Sequence, residues 1–412
     1  MPLNLIPLLV AAGILLAGNG LQGTLITLRG TAEGFSPLDI GLIGAGYSTG
    51  FLLACIYAPR LLQSVGHIRT FAALAALSAV CTLLMVMIID DWIWVAFRFI
   101  MGFCFSGLFT TIESWINSKA EKQNRARVLS FYRIIDLVAV TSSQFLIPAF
   151  GVMSFAIFSV AAMLYCMSLV PISLSDKSSP RPPENFKFDL KAIWSISPLA
   201  CFGCFTIGLT NSAFRMVGPL YAQDIGFDET GIALFMSTGI AGGILLQYPL
   251  GWLSDRYNRR ISLMIATSGA IAAGVTLSAL GSISQTASMI GIFAFGAFAM
   301  PLYALSAAHA NDQAKDDQYV LVAAGLMFFF SAGAIGGPFF AALFAEEFGA
   351  PAMFIYTSLV HGMLIVFTIL RSIRRPGLAP RSDRRFVALI RTSPQFLRLA
   401  TKDSHIKDQN KE

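Results

Sequence analysis

Five ionisable side chains fall inside otherwise apolar stretches of the chain: Arg98, Glu113, Arg133, Asp136 and Arg215. A guanidinium in such a place grips an anion or carboxylate through paired hydrogen bonds. A carboxyl there takes up and releases a proton once burial raises its proton affinity. Asn19, Gln22, Gln144 and Asn211 add amides that both donate and accept. Together these residues allow two chemistries, holding a polar solute and moving a proton. A second constellation reads Gly251-x-x-x-Asp255-Arg256-x-x-Arg259-Arg260, with His309 and Asp312 further along the chain. Its alternating signs suit ion pairs rather than catalysis.

Other spacings lack the partners their chemistry needs. Gly18-Asn19-Gly20-Leu21-Gln22-Gly23 matches G-x-G-x-x-G, but a dinucleotide site needs a strand before it and a helix after it. This run sits within a long apolar segment and reads as close helix packing beside a polar pair. Cys201-x-x-Cys204 has no second pair or nearby His to complete a zinc site. All six cysteines lie in apolar runs, which implies no disulfide framework. The four histidines form no metal-spaced cluster, and no Walker loop or Ser/His/Asp set stands out. The expectation is a chain with no cofactor, no metal and no enzymatic activity.

The elements that must carry these residues follow from composition. Of 412 residues, 55% are hydrophobic and 13% charged, about half the ~25% charged usual in soluble domains. Mean hydropathy is +0.68. A water-soluble globule of this size has too much surface to hide that excess, and disorder has the opposite signature. An all-α polytopic membrane protein remains, each helix using ~20 apolar residues to cross ~30 Å of hydrocarbon. The runs are too long for strands of an outer-membrane barrel. The first run, up to Leu28, lacks a basic leader and is long enough to span, so no cleavable signal is expected.

Twelve spans are expected: 5–28, 39–63, 69–89, 92–116, 127–149, 152–173, 196–221, 230–252, 261–281, 286–308, 319–343 and 351–370. With both termini in the cytoplasm, 25 of the 29 lysines and arginines fall on the inner side and only Arg29 on the outer. Arg98, Arg133 and Arg215 lie within spans. The net charge of +6 is thus a topology signal facing an anionic inner leaflet, not a nucleic-acid footprint. Residues 174–195 form the longest inner loop. Phe186, Leu190 and Trp194 predict a short amphipathic helix on the membrane surface there. A basic tail occupies 374–412.

The halves repeat at an offset of 192 residues. Asn19 maps onto Asn211, Gly34-Phe35 onto Gly226-Phe227, Gly50 onto Gly242 and Leu61 onto Leu253. Six spans per half give both halves one orientation, a parallel repeat with a two-fold axis along the membrane normal. The expected domains are two six-helix bundles, 1–173 and 196–373, joined by the linker and followed by the tail.

The Gly251 to Arg260 loop, between spans eight and nine, resembles the signature loop of the major facilitator superfamily. The repeat places a degraded copy at Pro59 to Ile68, where Gln63 stands for the Asp and Ser64 for the Arg. Arg98-x-x-x-Gly102-x-x-x-x-Gly107 resembles the fourth-helix motif of that family, and Gly333-Ala334-Ile335-Gly336-Gly337-Pro338 its Gly-Pro hinge. Three short runs are similar to the YcaD-like branch: Glu113 to Asn117, His309 to Asp312, and Arg391 to Pro394. The resemblance covers nearly all of residues 1–375. It implies a secondary transporter in the bacterial inner membrane, a monomer whose partners are lipid and a small solute. It further implies rocking of the bundles, and a central cavity lined by spans one, four, seven and ten.

Helical spacing supports that placement. Arg98, Gly102, Phe105, Phe109 and Glu113 share one stripe of span four, and Arg133, Asp136, Val140 and Gln144 one stripe of span five. Asn19 pairs with Gln22 on span one, and Asn211 with Arg215 on span seven. Ionisable groups at the bilayer centre cost at least ~2.5–3.5 kcal/mol, so they face the bundle or a cavity. Several readings stay open. Glu113 and Arg133 either bridge spans four and five or serve transport. Asp136 is the proton-carrier candidate, although Arg133 one turn away favours its ionised form. Arg98 and Arg215 either meet solute or snorkel outward, and Asn19 and Asn211 either line the pathway or hold helices together. The Asp255–Arg256 cluster, with His309 and Asp312 as partners, is either a cytoplasmic gate or a solvated loop. The five buried charges sum to +1, which leans toward an anionic or zwitterionic solute, whereas the 34 phenylalanines suit an amphipathic drug exporter. Two other classes remain as alternatives: a sensor that keeps the fold without net flux, and an intramembrane enzyme, which would need a convergent nucleophile-and-base pair that the sequence does not display.

Overall fold

The structure, a computed structural model, describes residues 5–119, 125–174, 189–315 and 318–374. All regular structure among them is helical. The chain divides into two compact units, Met1–Phe186 and Lys187–Glu412. The first unit holds α1 (Ile6–Ala32), α2 (Pro37–Val65), α3 (His67–Met87), α4 (Asp91–Lys119), α5 (Arg125–Ser143), α6 (Leu146–Phe150) and α7 (Phe155–Ser173). The second holds α8 (Leu190–Ile196), α9 (Pro198–Asp224), α10 (Glu229–Arg256), α11 (Arg259–Leu280), α12 (Gln285–Ala299), α13 (Leu302–Gln313), α14 (Tyr319–Phe348) and α15 (Ala352–Arg374).

Helix ends are set by local chemistry that recurs in both units. Ser36 and Asp39 form a reciprocal capping box at the start of α2. At the start of α10 the Asp228 carboxylate accepts from the Gly231 N–H. Each start follows a turn through a left-handed glycine, Gly34 (φ 88°) and Gly226 (φ 86°), a conformation only glycine adopts without strain.

Among the described residues ten helices are long and apolar enough to cross a membrane, α12 and α13 counting as one, or eleven if α8 and α9 form one bent span. The expected span 127–149 is divided: α5 ends at Ser143, a turn intervenes at Gln144–Phe145, and α6 follows. Arg125, Arg127, Arg133 and Asp136 make α5 too polar to qualify alone. Pro301, between α12 and α13, lacks the N–H that would continue the ladder. Part of the linker expected to carry an amphipathic helix lies within the described residues. Its described part, α8, bends 109° into α9, and its buried residue is Ile193 rather than Leu190 or Trp194. Trp194 instead meets the ring of Phe329 at 5.8 Å. Phe186 and the tail from 375 lie outside the described residues.

In the first unit α1 packs on α5 and α7, α2 on α4, and α3 on α4 and α7. In the second, α9 packs on α14 and α15, α10 on α12, and α11 on α12 and α15. Glycines permit the closest crossings. Gly50 lies against the Phe99 carbonyl and Gly102 against the Tyr47 carbonyl, so α2 and α4 touch backbone to backbone. Gly242 and Gly296 do the same for α10 and α12. Gly333 and Gly337 lie against the Phe205 and Leu209 carbonyls of α9. The Gly-Pro run of α14 is therefore a packing face in a helix that continues through Pro338. Hydrocarbon gives helices no hydrophobic drive to associate, so such contacts carry the association.

Gly102→Val drives a side chain into the α2 backbone. We expect it to lower the melting temperature in detergent by the equivalent of about 1–3 kcal/mol. Gly362→Ala, inside α15 where an added Cβ meets open space, does not lower the melting temperature and raises it by the equivalent of up to about 1 kcal/mol.

Candidate functional site

Polar side chains of four helices converge inside the first unit. Arg98, on α4, is only 3% exposed. Its Nη1 donates to Gln22 Oε1 of α1 at 3.1 Å. The Gln22 amide is itself oriented, because Nε2 donates to Thr82 Oγ1 of α3 at 3.0 Å and that hydroxyl donates to the Ser78 carbonyl at 2.9 Å. The guanidinium stacks over the Tyr47 ring of α2, 4.2 Å from its centroid, a cation–π contact strengthened by removal from water. The Tyr47 hydroxyl donates to Asn19 Oδ1 at 3.2 Å. Arg98 thus points inward rather than snorkelling. Gly102, one turn along α4, allows this, because the close α2–α4 crossing brings Tyr47 under the guanidinium.

The tyrosine also begins an aromatic wall. Its ring lies 6.2 Å from Phe51 and 6.4 Å from Phe105, and Phe109 is 6.3 Å from Phe51. Tyr47 is only half-buried, whereas Asn19 and Phe51 are buried with a small exposed remainder.

Gln144 has a different place from the one its spacing predicts. It lies in the turn after α5, off the Arg133–Asp136–Val140 stripe. Its Nε2 donates to the Gly20 carbonyl at 2.9 Å and its Oε1 accepts from the Thr24 hydroxyl at 2.7 Å. It clips the end of α5 to α1. Tyr165 of α7 makes a similar clip, donating to the Gly18 carbonyl at 2.9 Å. The G-x-G-x-x-G run is the surface on which α5 and α7 seat. A Cβ at Gly18 would meet Tyr165, and one at Gly20 would meet Val140 and Ser143.

The acids lie at other depths. Glu113 is fully buried, fifteen residues beyond Arg98 and so about 22 Å along α4. Asp136 is half-buried on α5. The Arg133 side chain lies outside the described residues, and with it the expected bridge to Glu113. In the second unit, half-buried Asn211 donates to the Met300 sulfur at 3.9 Å. Arg215 is exposed, so the two do not form a buried pair.

The loop between α10 and α11 holds a compact ion cluster centred on Arg259 rather than on Asp255 and Arg256. Buried Arg259 bonds Asp255 at 2.7 Å, Asp312 of α13 at 2.7 Å and the Ser254 hydroxyl at 3.1 Å. It ties three helices of one unit together. Arg256 is exposed and stacks on Trp252 at 5.3 Å. Arg260 is half-buried in the first turn of α11, where its N–H is capped by Asn258. His309, expected as a partner of the cluster, hydrogen-bonds Gln313 at 2.8 Å. Gly251 is buried in the penultimate turn of α10. At the position that the 192-residue offset matches to Arg259, the first unit has His67, buried and 2.9 Å from the Ser114 hydroxyl. A neutral hydrogen bond stands where the second unit has ion pairs.

Spacing missed Tyr47, Thr82, Tyr165, His67 and Arg29. Tyrosines and threonines in apolar runs carry no signal of their own, and their roles come from interhelical pairing. Arg29, expected at the outer surface, is buried. It bonds Glu33 at 2.6 Å and the Met153 carbonyl at 2.8 Å, anchoring the end of α1 to the turn before α7.

Comparison with known proteins adds the following. The model of the Major Facilitator Superfamily matches residues 8–220 and 200–401. An uncharacterised MFS-type transporter of Yersinia pestis (strain Pestoides F) is 23% identical over 376 residues, 90% of this chain and 95% of its own. The uncharacterised MFS-type transporter YcaD of Escherichia coli O139:H28 is 22% identical over 378 residues, 91% of this chain and 97% of its own. The crystal structure of the nucleoside transporter NupG matches with a TM-score of 0.72 at 14% identity, over 90% of this chain and 99% of that one. An inward-facing, occupied bacterial homologue of the human lysosomal transporter Spinster matches at 0.67 and 15%, over 90% and 98%.

Gln144→Leu leaves the Gly20 carbonyl and the Thr24 hydroxyl without their partner. The expected loss is about 1–3 kcal/mol, read as a lower melting temperature of the purified protein.

Proposed function

Because the chain belongs to the Major Facilitator Superfamily and matches its YcaD-like branch across nine-tenths of its length, we propose that it is a secondary active transporter. It moves a small solute by alternating access, coupled to a proton gradient. The observation that carries this reading is the Arg98 frame. A cation buried inside the protein within a span, oriented by Gln22 and Tyr47, is costly to bury and suits recognition of a polar solute. Asn19, Gln22 and Arg98 form the solute pathway in the first half, and Asn211 is its candidate residue in the second. Arg215 and Gln144 border it.

The recurrence of the helix pairings supports twelve spans in two repeated bundles, 1–173 and 196–373, with α5–α6 as a broken fifth span. The charge asymmetry supports cytoplasmic termini in a bacterial inner membrane. The Arg259 cluster acts as the cytoplasmic gate by fixing the ends of α10, α11 and α13 as one block. Arg256, Arg260, Gly251 and His309 shape its surroundings. Asp136 carries the proton and Glu113 pairs with Arg133.

Reconstitution into proteoliposomes tests this, with uptake from a mixed-solute pool followed by mass spectrometry under an imposed pH gradient. At least one solute is expected to accumulate. Asp136→Asn should abolish accumulation while leaving equilibrative exchange. Arg259→Met should cut flux at least tenfold by uncoupling three helix ends. Unchanged gradient-driven accumulation in Asp136→Asn removes that residue as the carrier, and no movement of any solute by wild type contradicts the transport reading.

A further inference from the structure

Each unit carries an exposed helix face on which an arginine is stacked on an aromatic ring. On α2, Leu53, Ile56, Tyr57 and Arg60 are exposed, and spacings of three and four residues put them on one stripe. The Arg60 guanidinium lies over the Tyr57 ring, 5.4 Å from its centroid. On α10, Leu245, Tyr248, Trp252 and Arg256 form a second exposed stripe. There the Arg256 guanidinium lies 5.3 Å from the Trp252 centroid, and Tyr248 is 79% exposed. The 192-residue offset maps Leu53 onto Leu245, so α2 and α10 are equivalent helices. The stacked pairs stand at different positions along them, so the arrangement recurs although the residues do not. Among the described residues no carboxylate lies within ion-pair distance of Arg60 or Arg256.

Both stripes run from aliphatic through aromatic to cationic, over about 10 Å on α2 and about 16 Å on α10 at ~1.5 Å per residue. That is the order of layers in half a bilayer: hydrocarbon, then the interface where amphipathic rings sit, then phosphate. Any arginine near a helix end can reach the headgroups by snorkelling. What these two add is the ring beneath, which holds the guanidinium in one place before an anion arrives. The planar fork then suits two oxygens of a phosphate diester. A zwitterionic headgroup brings its own ammonium, which repels the arginine, whereas an anionic one does not. A second copy of the chain would bring the same positive charge to the face. Free phosphate gains nothing from the leucines.

We infer that the Leu53–Tyr57–Arg60 stripe of α2 and the Leu245–Tyr248–Trp252–Arg256 stripe of α10 are two binding sites for anionic phospholipid. The phosphate sits on the guanidinium, and an acyl chain lies along the aliphatic end of each stripe. The inference takes from the proposed orientation only the leaflet concerned, the inner one, whose anionic lipids attract basic segments. Tyr57 and Trp252 are positioning residues, acting through the arginines stacked on them.

Native mass spectrometry tests this by counting lipid retained on the purified full-length protein. The protein is held in neutral detergent with phosphatidylglycerol or phosphatidylcholine of matched chains. Wild type should retain phosphatidylglycerol at least threefold over phosphatidylcholine. Arg60→Gln and Arg256→Gln should each remove part of that preference, and the double variant should remove it. Tyr57→Leu and Trp252→Leu keep the charge but free the guanidinium, and each should weaken retention less than the neighbouring arginine substitution. Lys315→Gln, which removes an exposed cation elsewhere in the second unit, should leave retention unchanged. Equal retention of the two lipids, or unchanged retention in the double variant, overturns the inference. So does an equal loss in Lys315→Gln, which would mean diffuse charge rather than built sites. Displacement of the lipid by glycerol 3-phosphate at matched concentration, or a dimer that Trp252→Leu dissolves, overturns it as well. Retention is read without a gradient or a solute. Its failure therefore leaves the transport reading standing, and failure of transport leaves the lipid sites standing.

Discussion

Hydrocarbon supplies no hydrogen bonds, so a charged side chain placed in it must receive all of them from protein. Arg98 is one such side chain, and residues of three other helices gather around it. Gln22 accepts from the guanidinium, Thr82 accepts from and so orients Gln22, and the Thr82 hydroxyl donates to the Ser78 carbonyl. Tyr47 covers the cation from α2 and is held by Asn19. Four helices are committed to one another by a single guanidinium. A purely structural helix joint needs far less, since glycine crossings and backbone carbonyl clips achieve it without charge.

Those cheaper joints are present too, and they explain why the charge can sit where it does. Gly50 and Gly102 bring the α2 and α4 backbones into contact, which places Tyr47 beneath Arg98. Gly18 and Gly20 let α7 and α5 press onto α1, where Tyr165 and Gln144 bond its carbonyls. The second unit uses the same small-residue joints but meets its charge requirement elsewhere. There Arg259 is neutralised by Asp255 and Asp312 near the helix ends. One unit keeps a cation among amides and aromatics within a helix, and the other locks a cation between two carboxylates at helix ends.

Much of this was legible in the residues before any coordinates. Apolar run lengths located the helices because each must bridge a fixed thickness. The stripe from Arg98 to Phe109 was readable because helical periodicity is fixed. Asn19 and Gln22 were legible because amides are rare in such runs. Tyr47 and Thr82 were not, because an interhelical partner twenty-eight or sixty residues away leaves no local trace. Gln144 was assigned to the wrong face because periodicity assumes an unbroken helix, and α5 ends one residue before it. The Arg259 hub was blurred for a related reason. A run of Asp255, Arg256, Arg259 and Arg260 names the charges, but only the turn at Tyr257–Asn258 between α10 and α11 decides that Asp255 meets Arg259 while Arg256 turns to Trp252.

The central claim is that Arg98 is held in its orientation by Gln22 as a coupled unit, and this is measurable directly. A double-mutant cycle with Arg98→Met and Gln22→Leu, read as unfolding free energy in micelles, should give a coupling of about 0.5–3 kcal/mol, the second substitution costing much less once the first is made. Additive effects, with the two residues behaving as strangers, would contradict the account.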